Sequence, residues 1–276
     1  MSEVFKRILL DDIDIPSRPD IVHKVLVVLE DEYSSVARLE KVILEDPAIT
    51  SIILKMANAP LYATGKSLNT ISESIMAIGM NNLVAFVSLA AITSQCLHVS
   101  CDKDIIRHLL AVSSAAALLA EHVKGFAVKR EVATIAGLLH DVGKPLLYIT
   151  MPNEYLRIKH YALKENKTYY ETEEELLGFN HCIVGSILAK KWKLPHIYKE
   201  TIRNHHDDKI KDINVQEDDV LCYLVRIADA MANETERGLS PTKERHVMDL
   251  LGILGIEKTR YQEINKNIRE IGKIDI

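Results

Sequence analysis

Apolar residues recur along this chain at helical spacing nearly throughout, and runs alternating apolar and polar with period two are scarce. Pro16 and Pro19 mark an extended lead-in, and after Asp20 the residues Ile21, Val25, Leu26 and Leu29 form one stripe. Val36, Leu39, Val42 and Ile43 form a second, with Ser34 or Ser35 as its N-cap. Asp46 followed by Pro47 predicts another helix start, because proline at the first helical position forgoes no needed amide donor. Ile49, Ile52, Ile53 and Met56 continue on one face behind it. Thr70 and Glu73 have capping-box spacing, and Gly79 is placed to end that helix in a left-handed turn. The most apolar segment, Leu83 to Ile92, is about half the ~20 residues that a membrane span needs, so it reads as a buried helix.

The polar stretch HVSCDKD at 98–104 divides the pattern. Beyond it, helices are predicted at about 104–123, 131–140, 152–166, 181–192, 196–206, 217–233, 241–251 and 257–271, punctuated by Pro145, Pro152, Pro195 and Pro241. The expected fold is all-α, with a small N-terminal helical bundle over 1–100 packed on a larger helical domain over 101–276. The terminal helices, with Ile253, Leu254, Ile256, Tyr261 and Ile264, either complete the core or join two copies as a homodimer.

Composition narrows this picture. Of 276 residues, 47% are hydrophobic and 26% charged, enough apolar material for a real core. The formal charge of −5 offers no basic footprint, so no nucleic-acid partner is expected. Four cysteines, Cys96, Cys101, Cys182 and Cys222, occur without a CxxC pair and read as reduced thiols, none placed for a structural thiolate site. The start, MSEVFKRILLDD, turns acidic too early for a signal peptide, and the chain is expected in the cytoplasm with no membrane span.

Candidate chemistry concentrates in the second part. In GLLHDVGK, residues 137–144, His140 and Asp141 are adjacent at a predicted helix end, where the turning chain can aim an imidazole and a carboxylate at one ion. His108 lies upstream among small residues (Ala111, Ser113, Ser114 and Ala115 to Ala117) that permit close helix approach. His181 opens a helix with Gly185 one turn on, and His205 and His206 sit together in IRNHHDD. Asp229 lies on a mostly apolar helix beside Leu224, Ile227 and Ala228, where an unpaired carboxylate would cost several kcal/mol and a metal would supply the missing charge. His23, His98, His122, His160, His196 and His246 lack such a context.

These residues carry a resemblance. The pattern H…HD…D, falling on His108, His140–Asp141 and Asp229, is similar to that of the HD superfamily of metal-binding proteins. The segments IPSRPDIV, EDPAITSIILKMANAPLY and NTISESIMAIGMNNL resemble the opening of HDOD domains, the HD-related output domains of bacterial signalling proteins, and together the likeness spans about residues 10–235. It implies that the larger domain is an HD-type bundle. Many HDOD proteins have lost the HD ligands, whereas here they stand intact. The likeness extends to HD-GYP cyclic-di-GMP phosphodiesterases, whose further ligands fall on His181, His205 and His206 and whose HDxGK lysine falls on Lys144. Their GYP loop is missing, since DDKIKDINVQ follows His206, which argues against carrying over that substrate.

Imidazoles and carboxylates suit one or two divalent ions such as Fe, Mn, Ni or Zn. If two bind, Asp141 is the natural bridge: His108, His140, Asp141 and Asp229 hold one, and Asp141, His181, His205 and His206 the other. The first expectation is a regulatory HDOD protein that keeps a metal site and answers to a signalling protein partner or a small phosphorylated ligand. The alternative is a metal-dependent phosphohydrolase acting on a nucleotide or other phosphoester, with Asp141 and Lys144 as catalytic residues and Lys144 neutralising a phosphoryl oxygen. With no receiver, kinase or DNA-binding segment recognised, a stand-alone component is expected.

Overall fold

The structure is a computed structural model describing residues 20–58, 67–98, 103–192, 194–207, 209, 215–233 and 239–271. Pro16, Pro19, most of the 98–104 divide, the APLY residues 59–62 and most of the stretch after His206 lie outside the described residues. Among the described residues the chain is all-α, without a strand.

The N-terminal part comprises α1 (Asp20–Glu30), α2 (Val36–Ile43), α3 (Pro47–Ala57), α4 (Ile71–Ile78) and α5 (Leu83–His98). The expected caps form: Ser35 accepts from the Arg38 amide at 3.3 Å, and Asp46 from Ala48 and Ile49 at 2.9 and 3.0 Å. Thr70 and Glu73 make a complete capping box. Gly79 ends α4 at φ +85°, ψ +141°, a positive-φ conformation open to glycine but outside the left-handed helical well expected for it. The predicted stripes converge on one core, in which Val25, Leu39, Ile43, Ile53 and Ile75 are fully enclosed, while Leu26, Leu29 and Val42 pack at its margin.

The second part runs α6 (Lys103–Ala120), α7 (Arg130–Leu139), α8 (Gly143–Thr150), α9 (Pro152–Glu165), α10 (Tyr169–Leu177), α11 (His181–Lys191), α12 (His196–Asn204), α13 (Glu217–Ala232), α14 (Pro241–Ile253) and α15 (Lys258–Ile271). Helices α8 and α10 go beyond the sequence reading. Pro145 falls on the third residue of α8, where no intrahelical amide bond is lost, and so opens the helix rather than breaking it. The charged YYETEEELL of α10 is started by a capping box between Thr168 and Glu171. Leu254, Ile256, Tyr261 and Ile264 are buried, so α14 and α15 complete the larger core.

The two cores interlock. Leu109 of α6 and Leu138 of α7 belong to the N-terminal core, while Ala85 and Ile92 of α5 belong to the larger one. The apolar Leu83–Ile92 run is accordingly buried. No single helix among the described residues is long and apolar enough to cross a membrane.

Candidate metal centre

Five stretches of chain meet at one point because glycines let them. His140 caps the C-terminus of α7, Asp141 lies in the turn that follows, and the Lys144 amide donates to the Asp141 carbonyl at 2.9 Å as α8 begins. A Cβ on Gly143 would stand 2.0 Å from the His181 carbonyl oxygen, and one on Gly185 would stand 3.2 Å from the Gly143 nitrogen. Only bare backbone allows α8 and α11 to approach this closely, which sets Asp141 beside His181. The small residues of α6 act similarly, since a Cβ on Gly137 of α7 would meet Ser113 Cα at 2.8 Å. His205 caps the end of α12, and Asp229 lies in the last turn of α13.

The two oxygens of Asp141 face different partners. Its Oδ2 lies 3.3 Å from both His108 Nε2 and His140 Nε2, and it pairs with Lys144 Nζ. Asp229 Oδ1 closes this group at 3.0 Å from His108 Nε2 and 3.6 Å from His140 Nε2. On the other side, Asp141 Oδ1 lies 3.0 Å from His181 Nε2 and 3.3 Å from His205 Nε2. The His206 ring is 4.2 Å from that of His205 and 5.1 Å from that of His181, centre to centre. All the site residues singled out in the sequence, Lys144 included, therefore gather in one place, mostly buried. Of the histidines given no role, His196 illustrates the contrast, exposed beside Glu200 and Asp218 at 3.6 Å.

The donor chemistry fits a divalent metal. Asp141 Oδ1 and His181 Nε2 are buried and have no hydrogen-bond partner, although they lie 3.0 Å apart. His140 Nδ1 is bonded to the Gly137 carbonyl at 2.7 Å and His205 Nδ1 to the Ile202 carbonyl at 3.0 Å, so both rings turn Nε2 inward. Two donor groups are close enough to share an ion each: His108, His140, Asp141 and Asp229, and His181, Cys182, His205 and His206.

Cys182 corrects an expectation. Its Sγ lies 3.8 Å from His205 Nδ1, so a cysteine does stand among the histidines. Its neighbour His181 in sequence was the available signal. Arg226 was also unread: buried on α13, it donates to the carbonyls of Asn204 at 2.8 Å and Lys209 at 3.1 Å, tying down the turn that carries His205 and His206.

The profile of the HDOD domain family matches residues 15–208. The chain belongs to the HDOD domain family. An HDOD domain protein of unknown function from Geobacter sulfurreducens has the same fold, at TM-score 0.68 and 24% identity over 98% of this chain and 97% of that one. So does a Shewanella amazonensis SB2B protein named "Putative metal-dependent phosphohydrolase", at TM-score 0.69 and 19% identity over 98% and 96%. A Marinobacter aquaeolei VT8 protein named "Putative signal transduction protein" matches at TM-score 0.69 and 17% identity over 96% of this chain and 59% of its own. An uncharacterised protein of Treponema pallidum (strain Nichols) is 23% identical over 197 residues, 70% of this chain, which spans 38% of that relative's length.

In this HDOD chain, neighbouring charges decide the protonation states that burial alone would oppose. Burial would raise Asp141, but Lys144, His140 and His181 hold its carboxyl well below the usual range. Burial would likewise raise Asp229, and bonds from His108 and His140 keep it well below. Burial would lower His205, yet Cys182 and Asp141 push it up to about 9. His206 goes the other way, held well down by burial and by the charges of His205 and His181. Beside the centre opens a cavity of about 350 Å³, lined by Arg107, His108, Asp141, Lys144, Tyr169 and Asn233 among others.

Proposed function

We propose that this HDOD protein is a regulatory, signal-transduction component of bacterial type that keeps a divalent-metal centre. The observation that carries the reading is Asp141, whose two oxygens serve two separate donor sets while Oδ1 and the facing His181 Nε2 lack any hydrogen-bond partner. Satisfied buried polar atoms are the rule, and a cation is what this pair is short of. His108, His140, Asp141 and Asp229 would hold one ion, and Asp141, His181, His205 and His206 a second. A signalling protein partner, or a small phosphorylated ligand entering the adjoining cavity, would read or set the state of this centre.

Elemental analysis of protein purified without chelator tests it. Near-stoichiometric Fe, Mn, Ni or Zn in the wild type, lost in His140→Ala and Asp141→Ala, is the expected result. A folded wild type that carries no metal and takes up none of these four when added would sink the reading.

A second reading, metal-dependent phosphohydrolysis, is favoured by one further observation: Lys144 and Arg107 line the cavity that reaches His108 and Asp141. A bound ion would supply Lewis acidity toward a phosphoryl oxygen. Lys144, its charge secured by Asp141 against the lowering effect of burial, would neutralise a second oxygen, and Asn233, bonded to Asp229 Oδ1 at 2.7 Å, would keep that carboxylate aligned. Turnover of any member of a nucleotide and phosphoester panel by metal-loaded protein, abolished in Lys144→Ala, would establish it. Absence of turnover across the panel leaves the regulatory reading alone.

A further inference from the structure

Helix α10 contributes a carboxylate that nothing in the sequence pattern marked out. Glu173 is completely buried, and its Oε2 accepts from His181 twice: from the backbone amide at 2.7 Å and from ring Nδ1 at 2.6 Å. Its other oxygen, Oε1, is buried without a hydrogen-bond partner. Burying a carboxylate costs several kcal/mol unless its partners compensate, so this placement needs a reason.

Helix capping alone does not provide one. The N-terminus of α11 already has its cap, because Asn180 Oδ1 accepts from the Ile183 amide at 3.1 Å. What Glu173 adds is its hold on the imidazole. With Nδ1–H donating to Glu173, His181 turns Nε2 toward Asp141 Oδ1 at 3.0 Å, and a proton or a metal ion must lie between these two electron-rich atoms. The three inner rings divide by the acceptor behind them. His140 and His205 are backed by neutral carbonyls, and His181 alone among these by a carboxylate, which makes it the more basic donor.

We infer that Glu173 is the positioning residue of the second metal position, fixing the tautomer and orientation of His181 so that Nε2 faces the ion. This rests on the reading of the cluster as a metal centre. It concerns a residue that touches His181 and neither an ion nor a substrate.

The experiment compares full-length wild type, Glu173→Gln and Glu173→Ala by Zn²⁺ and Mn²⁺ titration in competition with a chelator, with thermal unfolding of each metal-free form alongside. Nitrogen-15 NMR of the metal-free proteins, recorded at a pH high enough to remove the second proton from His181, reads its tautomer directly. The expected result is a fall in the affinity of the second ion of about 10–100-fold in both variants, with the first ion changed by no more than about threefold. The His181 signal should shift away from the pure Nδ1–H form. If Glu173→Ala unfolds, Glu173→Gln, whose amide oxygen can still accept from the His181 amide, decides the matter. A folded Glu173→Gln that binds both ions as wild type does and leaves the His181 tautomer unchanged overturns the inference. Should wild type bind no metal, the metal reading fails, and the tautomer comparison still tells whether Glu173 orients His181.

Discussion

Substituting Gly143 by alanine puts the architecture of the centre to a direct test. The added Cβ would lie 2.0 Å from the His181 carbonyl oxygen, 2.8 Å from its carbonyl carbon and 2.9 Å from the Gly185 nitrogen. All three are backbone atoms, so no flexible side chain can swing aside. To bring the oxygen contact from 2.0 Å to beyond 3.0 Å, the start of α8 and the start of α11 must part by about an ångström. Overpacking in a well-filled core costs about 1–3 kcal/mol, and here the obstacle is rigid, so the upper end, about 3 kcal/mol, applies. For a chain of this size that corresponds to a fall in Tm of roughly 6–12 °C. The same displacement widens the 3.0 Å approach of His181 Nε2 to Asp141 Oδ1, which should loosen the second ion while His108, His140 and Asp229 still hold the first. Scanning calorimetry of the metal-free protein and elemental analysis of the loaded one make the two measurements. A Gly143→Ala protein that melts within a degree of wild type and keeps its full metal content would refute the reasoning, because the crossing would then have slack that its geometry denies.

Two further outcomes are expected. Arg226→Met should destabilise by about 2 kcal/mol, since charge-assisted bonds to two carbonyls are lost, and should weaken metal retention through His205 and His206; chemical denaturation and chelator competition check both. The metal-free protein should lose stability as pH rises above 6.5: against burial, Glu173 with Cys182 and Asp141 holds His181 well above its ordinary value, and Cys182 with Asp141 raises His205 to about 9, so two protons are kept that the unfolded chain releases, while Cys182, lowered to about 6 by His205 and His181, offsets only one of them. Metal loading displaces those protons and tightens over the same window, so the Tm gained on loading should widen from pH 6.5 to 9; a gap that narrows would contradict the assignment.

The metal candidates were legible because their residue types were out of keeping with their surroundings. A histidine or aspartate on an apolar helix must be compensated, and His108, His181 and Asp229 all had that look. Glu173 had the opposite look. In YYETEEELL it is one acid among four, indistinguishable from a solvated face, and only its contact with His181 at the start of α11 separates the buried carboxylate from the exposed ones. Helix α8 was hidden by Pro145, a helix breaker in most positions that is harmless in a first turn. Cys182 was overlooked because a thiol ligand was sought in cysteine spacing, whereas its neighbours in space come from α12.

The divide at 98–104 shows a different limit. Composition changes there, and the candidate-site histidines all lie beyond it, so a separation at that stretch was a reasonable reading of polarity. Yet Leu109, next to His108, and Leu138, two residues before His140, are buried in the N-terminal core rather than the larger one. A leucine carries no mark of which core it will join, because the hydrophobic effect is non-directional and only shape complementarity assigns partners. The backbone that presents His108 and His140 to Asp141 is therefore braced from the far side by the N-terminal helices. The centre thus rests on both parts of the chain, although every one of its donors comes from the second.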